Sequence, residues 1–439
     1  MSEDVHDDAQ QDHGHSHAHG PARPASERIR RRLLAVMAPL VVANFIALVI
    51  LWPTSPKDPS SDAHTSALIA ATVIGADLSS CAAADGQTTN GTDCVAVTVR
   101  LHGGPDKGKE ATFVQSLLGG VNIRLKDQIY VVRLDTTGPT PPKKHFYTFY
   151  EFQRERPLIL LGSVFALAAI GIGRRHGLRA LLALAISLGV LVKFILPSVL
   201  AGRSPLIVAL VGASAVMFVV MYLSHGVSAR TTTAVLGTIT SLAITGGLSA
   251  IAVAAAHFTG LAGEESSYVR ATAAQVDLKG LLLAGIVIGS LGVLNDVTIT
   301  QASAVWELHH ANPTRGIAAT FGAAMRIGRD HIASAVNTLA FAYAGASLPL
   351  LIIFTQAHVP IGEILNGEPV ATELVRMFAG SIGLMAAVPI TTFLAAAVVN
   401  GDESHQPSPK RAAPRIARPA RQWQPSKAER AFRADDWDD

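Results

Sequence analysis

An aspartate and its polar neighbours, set in the middle of an apolar run, are the residues of this chain best suited to chemistry. After Lys279 the run toward His309 is broken only by glycines and Ser290 until it reaches Asn295 and Asp296. Thr298, Thr300, Gln301, Ser303 and Glu307 follow. On a helix turning about 100° per residue, Gly285, Gly289, Gly292, Asp296, Thr300, Ser303 and Glu307 fall within about 40° of one direction. If the run crosses a membrane, Asp296 comes close to mid-depth, where a carboxylate costs at least about 2.5–3.5 kcal/mol. Burial raises a carboxyl pKa toward neutrality, which suits a proton carrier or a cation ligand. Thr300 and Gln301 are near enough to donate hydrogen bonds, and Asn295 adds an amide. The competing reading is a hydrogen-bonded Asp296 that only locks helices together. Glu307, at the end of the same face, reads as the mouth of a pathway or as an ion-pair partner of Arg326 or Arg329.

A second group lies in Arg326–Asn337, RIGRDHIASAVN. On a helix Arg326, Asp330 and Asn337 share a face, with Arg329 beside them, and Asp330 and His331 enter the apolar region together. That arrangement suits a cytosolic gate or a proton relay. An ordinary helix start, with Asp330 near the positive end of the helix dipole, explains the same residues. Arg376, one turn after Glu373, reads as a surface ion pair. The run DHGHSHAHG places His13, His15, His17 and His19 at alternate positions, a pattern that binds zinc, copper or nickel loosely or is simply a solvated tail. Zinc-protease, phosphate-loop, serine-hydrolase and intramembrane aspartyl-protease signatures are absent, so the expectation is a protein that is not an enzyme and uses no cofactor.

The elements that position these residues follow from composition. Of 439 residues, 49% are hydrophobic and only 16% charged; a soluble protein carries about 25% charged residues. The apolar residues are gathered into blocks long enough to cross about 30 Å of hydrocarbon. The expected fold is an α-helical polytopic membrane protein of about eight spans, with a small all-β domain inserted outside after the first helix. Residues 1–32 read as a polar cytosolic N-terminus, 33–52 as an uncleaved first span, 53–156 as the outer β domain, 157–400 as seven further spans, and 401–439 as a basic, disordered cytosolic tail. In this layout residues 309–331 form a long cytosolic connection. Arg174, Arg175, Arg179, Arg230 and Arg315 all fall inside, as the positive-inside rule requires. The net charge of +3 gives no reason to expect a nucleic acid partner, because the basic residues sit at helix ends and in the tail; the expected surroundings are the lipid bilayer, a small solute or ion, and an envelope partner at the outer domain.

Within 53–156, runs such as CVAVTVRLHG and QIYVVRLD alternate as strands do and are separated by Gly, Asp and Asn turns. Five or so short strands suit a small β-barrel or sandwich, similar to an oligonucleotide-binding fold in shape only. Cys81 and Cys94 bracket a polar loop, and outside the cytosol they are expected to pair as a disulfide. Gly237, Ser241, Thr245 and Ser249, and likewise Gly380 and Gly383, form small-residue ladders of the kind that brings helices close together.

The stretches LGVLNDVTITQASAVWEL and MRIGRDHIASAVNTLAFAYAGASLPL resemble the signature of the YibE/F family of bacterial multi-span membrane proteins. The resemblance covers about residues 157–400. It implies a bacterial cell membrane protein and carries over no activity, substrate or catalytic residue. The reading that joins it to the polar face is a proton- or cation-coupled permease for a small solute. The alternative is a membrane scaffold or sensor whose outer domain binds a ligand or envelope partner.

Overall fold

The computed structural model describes residues 26–53, 68–79, 94–116, 122–135, 145–356 and 359–401. The elements run α1 (Glu27–Leu51), β1 (Leu68–Ser79), β2 (Cys94–Leu101), β3 (Glu110–Ser116), β4 (Gln128–Asp135), β5 (His145–Phe152) and α2 (Glu155–Val190). A wide helical turn, Leu191–Ile195, leads into α3 (Leu196–Leu200), α4 (Pro205–His225), α5 (Ala229–Ala255) and α6 (Glu264–Thr272). Then come α7 (Leu278–Ala311), α8 (Ile317–Ala346), α9 (Leu348–Gln356), α10 (Ile361–Asn366) and α11 (Glu368–Asn400). His13, His15, His17, His19, Cys81 and the tail beyond Gly401 lie outside the described residues. Cys94, the expected partner of Cys81, opens β2 and is buried.

This is a membrane protein. Among the described residues six helices are long and apolar enough to span a bilayer, and the pair α8–α9, bent by 59°, brings the number to seven. The expected total of about eight is reached only by dividing the single stretch Glu155–Leu200 at Arg174. There the backbone turns left-handed (φ 48°, ψ −124°), and Gly177 lies against the Ala169 carbonyl. An unbroken helix would hold residues eight apart about 12 Å from one another, so the chain folds sharply at this basic turn.

The expected cytosolic connection over 309–331 is corrected more substantially. Only residues 312–316 separate α7 from α8. Thr320, Ala323, Ala324 and Gly328 are buried, a small-residue face that packs against α7 and α11. The arginines on the opposite face hid this periodicity from a hydropathy reading.

The packed centre is α5, α7 and α11, with α4 and α8 against α7. The close approach is built from reciprocal small residues. Gly237 on α5 faces Thr391 on α11, and Gly383 on α11 faces Thr245 on α5, each so tightly that a Cβ would overlap the threonine Oγ1. The peripheral α1 donates from Asn44 Nδ2 to the Val211 carbonyl at 3.0 Å. At one end, here the sheet end, Ser198 Oγ donates to the Leu51 carbonyl at 2.9 Å. There too Gly280 at the start of α7 meets Pro205 at the start of α4. Glu368 accepts from the backbone N–H of Thr259 at 2.9 Å and of Gly260 at 2.6 Å. The opposite end carries the Arg174 turn and the basic start of α1.

The strands form one antiparallel sheet in the order β3-β2-β1-β4-β5, curled so that β3 and β5 approach each other. Alternate residues Ile69, Ala71 and Val73, Val97, Val99 and Leu101, and Ile129 and Val131 are buried inside it, as period-2 patterning dictates. Tyr147 Oη donates to Asp106 Oδ2 at 2.6 Å, and Lys109 Nζ reaches Asp106 Oδ1 at 2.9 Å. The tyrosine hydrogen bond first, then Lys109 and Arg133, hold the Asp106 carboxyl down at about 2. Tyr130 Oη donates to Glu155 Oε1 at 2.6 Å and so ties the sheet to the start of α2.

Candidate functional site

Helix α7 starts where the Asp277 side chain accepts from the Lys279 N–H at 3.1 Å. Its polar residues divide by face. Thr298 and Gln301 are buried. Thr298 Oγ1 lies 2.6 Å from Thr238 Oγ1 on α5. Gln301 Nε2 donates to the Ala324 carbonyl on α8 at 2.9 Å and to Thr392 Oγ1 on α11 at 2.7 Å. These two side chains lock four helices together.

The other polar face is uncovered by the rest of the described chain. Gly285, Gly289, Gly292, Asp296, Thr300 and Glu307 are exposed, and Ser303 is half-buried. The expected enclosed polar cavity around Asp296 is therefore replaced by an open stripe, because the apolar residues flanking each of these positions supply the packing. Thr300 Oγ1 donates to the Asp296 main-chain carbonyl at 2.5 Å, not to its carboxylate; Ser303 Oγ likewise donates to the Ile299 carbonyl at 2.8 Å. Asn295 points to a different side. It lines a cavity of about 290 Å³ between α2, α4 and α7, with Ser187, Met217 and Leu291, and its Oδ1 is buried without a hydrogen-bond partner.

The second sequence-derived group lies along α8. Arg326, Arg329, Asp330 and Asn337 are exposed and His331 is half-buried. Arg326 Nη1 donates to the Gly322 carbonyl at 3.3 Å. Gly328 sits against Gln301 and Val388, which puts Arg329 and Asp330 alongside Gln301, about 15 Å along α7 from its end at Ala311. Among the described residues no hydrogen bond or ion pair joins them to Asp296. His225, the last residue of α4, has Arg230, the Asp296 carboxylate and His176 in its surroundings. His225 and Arg230 sit at helix ends and His176 just past the Arg174 fold; the sequence assigns Arg230 only to the positive-inside bias and gives the two histidines no role.

At the sheet end a cavity of about 650 Å³ is bounded by α6, the start of α7, the α8–α9 bend and the start of α11. Glu265, Ser266, Thr372, Glu373 and Arg376 are among its lining residues. Arg376 Nη1 donates to both Glu373 carboxylate oxygens, at 2.9 and 3.1 Å. Its guanidinium stands 5.9 Å from the centroid of the Tyr343 ring. The pair expected on the surface is thus three-quarters buried, with side chains 27% and 25% exposed. A Cβ on Gly285 would lie 3.8 Å from Arg376 Nη2, and one on Gly289 would lie 3.5 Å from the Tyr343 hydroxyl. From α7 the cavity is lined by Leu278, Leu281 and Leu282, just before Gly285, where the stripe begins.

The family model described as YibE/F-like protein matches residues 161–401. The chain belongs to the YibE/F-like family. No curated protein and no solved structure gives a match. The matched region runs from within α2 to the end of α11, so it includes α7, α8 and both cavities and leaves out α1 and the sheet.

In this YibE/F-like chain the Asn295–Gln301 run serves two purposes on one helix. Thr298 and Gln301 fasten α7 to its neighbours, while Asp296 and Thr300 remain on the uncovered face. Among the described residues no group of three or more His, Cys, Asp and Glu side chains has metal-site geometry.

Proposed function

We propose that this YibE/F-like protein is a secondary permease of the bacterial inner membrane that moves a small solute coupled to a proton or another cation. Both termini lie in the cytosol and the β sheet lies outside, an orientation supported by the arginines gathered at the end of the bundle away from the sheet. The observation that carries the reading is the uncovered face of α7. It descends from the sheet-end cavity past Gly285, Gly289 and Gly292 to Asp296, small residues first and polar ones after. A carboxylate left against hydrocarbon is costly, whereas one in a water-filled groove is not. Asp296 is the titrating or coordinating group. His225 with Arg230, and Asp330 with His331, supply basic and proton-handling groups beyond it. The protein carries out no bond-making chemistry.

The test is Asp296→Asn in proteoliposomes under an imposed proton or sodium gradient. The reading expects flux and its cation dependence to be lost while thermal stability stays near wild type, since the side chain is exposed. Unchanged flux and unchanged coupling would refute it. The hydrogen bonds of Thr298 and Gln301 favour a second reading, a scaffold or sensor in which polar residues only fasten helices. In that case removing residues 60–145 abolishes function with the bundle intact, and Asp296→Asn changes assembly and leaves solute movement unaffected.

A further inference from the structure

The cavity at the sheet end has unmet chemistry of a particular kind. Thr372 is 4% exposed, and its Oγ1 is buried without a hydrogen-bond partner. Arg376 Nε is likewise buried and unpartnered, although Nη1 of the same guanidinium is engaged by Glu373. These two residues stand four apart on α11, one above the other on a single helix face. Both line the same cavity. A buried N–H and a buried hydroxyl side by side call for an acceptor, and two such donors match the two oxygens of a carboxylate.

The cavity is not simply an anion site. Among the described residues that line it, Glu265 and Glu373 stand against the cation Arg376, so this lining is net acidic by one charge. Glu373 spends both oxygens on a single nitrogen and retains free lone pairs, and Glu265 is exposed on α6 across the mouth. A bare carboxylate leaves that acidic excess unanswered; a bare amine leaves Thr372 and Arg376 Nε unanswered. The walls between are apolar, from Val269, Leu281, Leu282 and Leu350. The volume of about 650 Å³ lies within the range of small-molecule sites.

We infer that this cavity binds a small zwitterion of the amino-acid kind, its carboxylate on Thr372 and Arg376, its ammonium toward Glu373 and Glu265, and its side chain on the apolar wall. Binding stands on the cavity alone; that the bound molecule is also the transported solute rests on the permease reading.

The experiment uses the full chain in nanodiscs, with calorimetry and thermal shift as readouts. The probes are glycine, L-leucine and L-glutamine, beside 4-methylpentanoate and isopentylamine, which are leucine without its ammonium and without its carboxylate. At least one amino acid is expected to bind saturably, and 4-methylpentanoate and isopentylamine at least about tenfold more weakly than leucine. Thr372→Val, nearly isosteric, is expected to weaken binding about tenfold with the unfolding temperature of the empty protein unchanged. Arg376→Gln is expected to abolish it. The inference is overturned if no amino acid binds, if either single-charge analogue binds as well as leucine, or if Thr372→Val and Arg376→Gln bind as wild type does. Amino acid binding without any flux in proteoliposomes would keep the site and remove the permease. Flux of another solute without amino acid binding would do the reverse.

Discussion

The bundle is held by close approach more than by polar contacts, and two substitutions on neighbouring helices separate these effects. Gly383→Ala places a methyl inside the radius of Thr245 Oγ1, 3.1 Å from Thr245 Cβ and 3.6 Å from its Cγ2. Thr245 is itself held in place, donating to the Ser241 carbonyl at 2.9 Å. Restoring ordinary contact requires α5 and α11 to part by about 1.5 Å at this level, and overpacking of this kind costs about 1–3 kcal/mol. Gln301→Leu is nearly volume-conserving and deletes two interhelical hydrogen bonds. Such bonds in membrane proteins average about 0.6 kcal/mol each, which gives about 1.2 kcal/mol. The loss is limited further because Thr392 Oγ1 keeps its own bond to the Val388 carbonyl at 2.6 Å. Equilibrium unfolding in mixed micelles is therefore expected to rank Gly383→Ala as the more damaging. Adding Thr245→Ala to Gly383→Ala removes the Oγ1 overlap and should restore more than half of the loss, a coupling that a double-mutant cycle measures directly. A greater loss from Gln301→Leu, or no recovery in the double variant, would refute the packing argument.

Two further outcomes follow from the sheet end. The Asp106 carboxyl is held at about 2, below its ordinary 3.8, chiefly by the Tyr147 hydroxyl. A depressed carboxyl contributes stability that is fully present above its unfolded pKa and disappears as pH falls through the folded one. Hydrogen exchange across β2–β5 should therefore rise between about pH 4 and pH 2, and Tyr147→Phe should move that rise to higher pH. Glu368→Ala removes the acceptor of the Thr259 and Gly260 N–H groups and of Thr259 Oγ1. Exchange protection should fall at 259–260 and stay unchanged in the middle of α7.

The membrane class, the β sheet and the reciprocal packing of Gly237 and Gly383 were legible in the sequence because each rests on a local pattern: apolar length, alternation and small-residue spacing. The face shared by Gly285, Gly289, Gly292 and Asp296 was legible too, since it depends only on the helical repeat. Its burial was not, because that depends on which neighbours arrive. The first half of α8 was misread because Arg326 and Arg329 lower the hydropathy of a segment whose small residues face the bundle. Arg376 and Glu373 show the same limit in another form. A pair at that spacing has one sequence appearance on a surface and in a cavity, and only the α8–α9 bend and α6 make it a lining.

The first half of α2 has a mechanical consequence. Leu158, Ile159, Leu160, Leu161 and Leu167 are each more than 60% exposed, so the rest of the described chain leaves this rod uncovered on nearly every side. It joins the bundle through the sharp fold at Arg174. At its other end it continues from β5 with two intervening residues, and the Tyr130–Glu155 bond stiffens the junction. A rod of nineteen or so residues is about 28 Å long. A tilt of 10° about the fold at Arg174 therefore swings the attached sheet sideways by about 5 Å without disturbing a contact of α5, α7 or α11. The sheet is mounted on a lever whose pivot lies at the opposite end of the bundle, so a change in the slope of that rod repositions it.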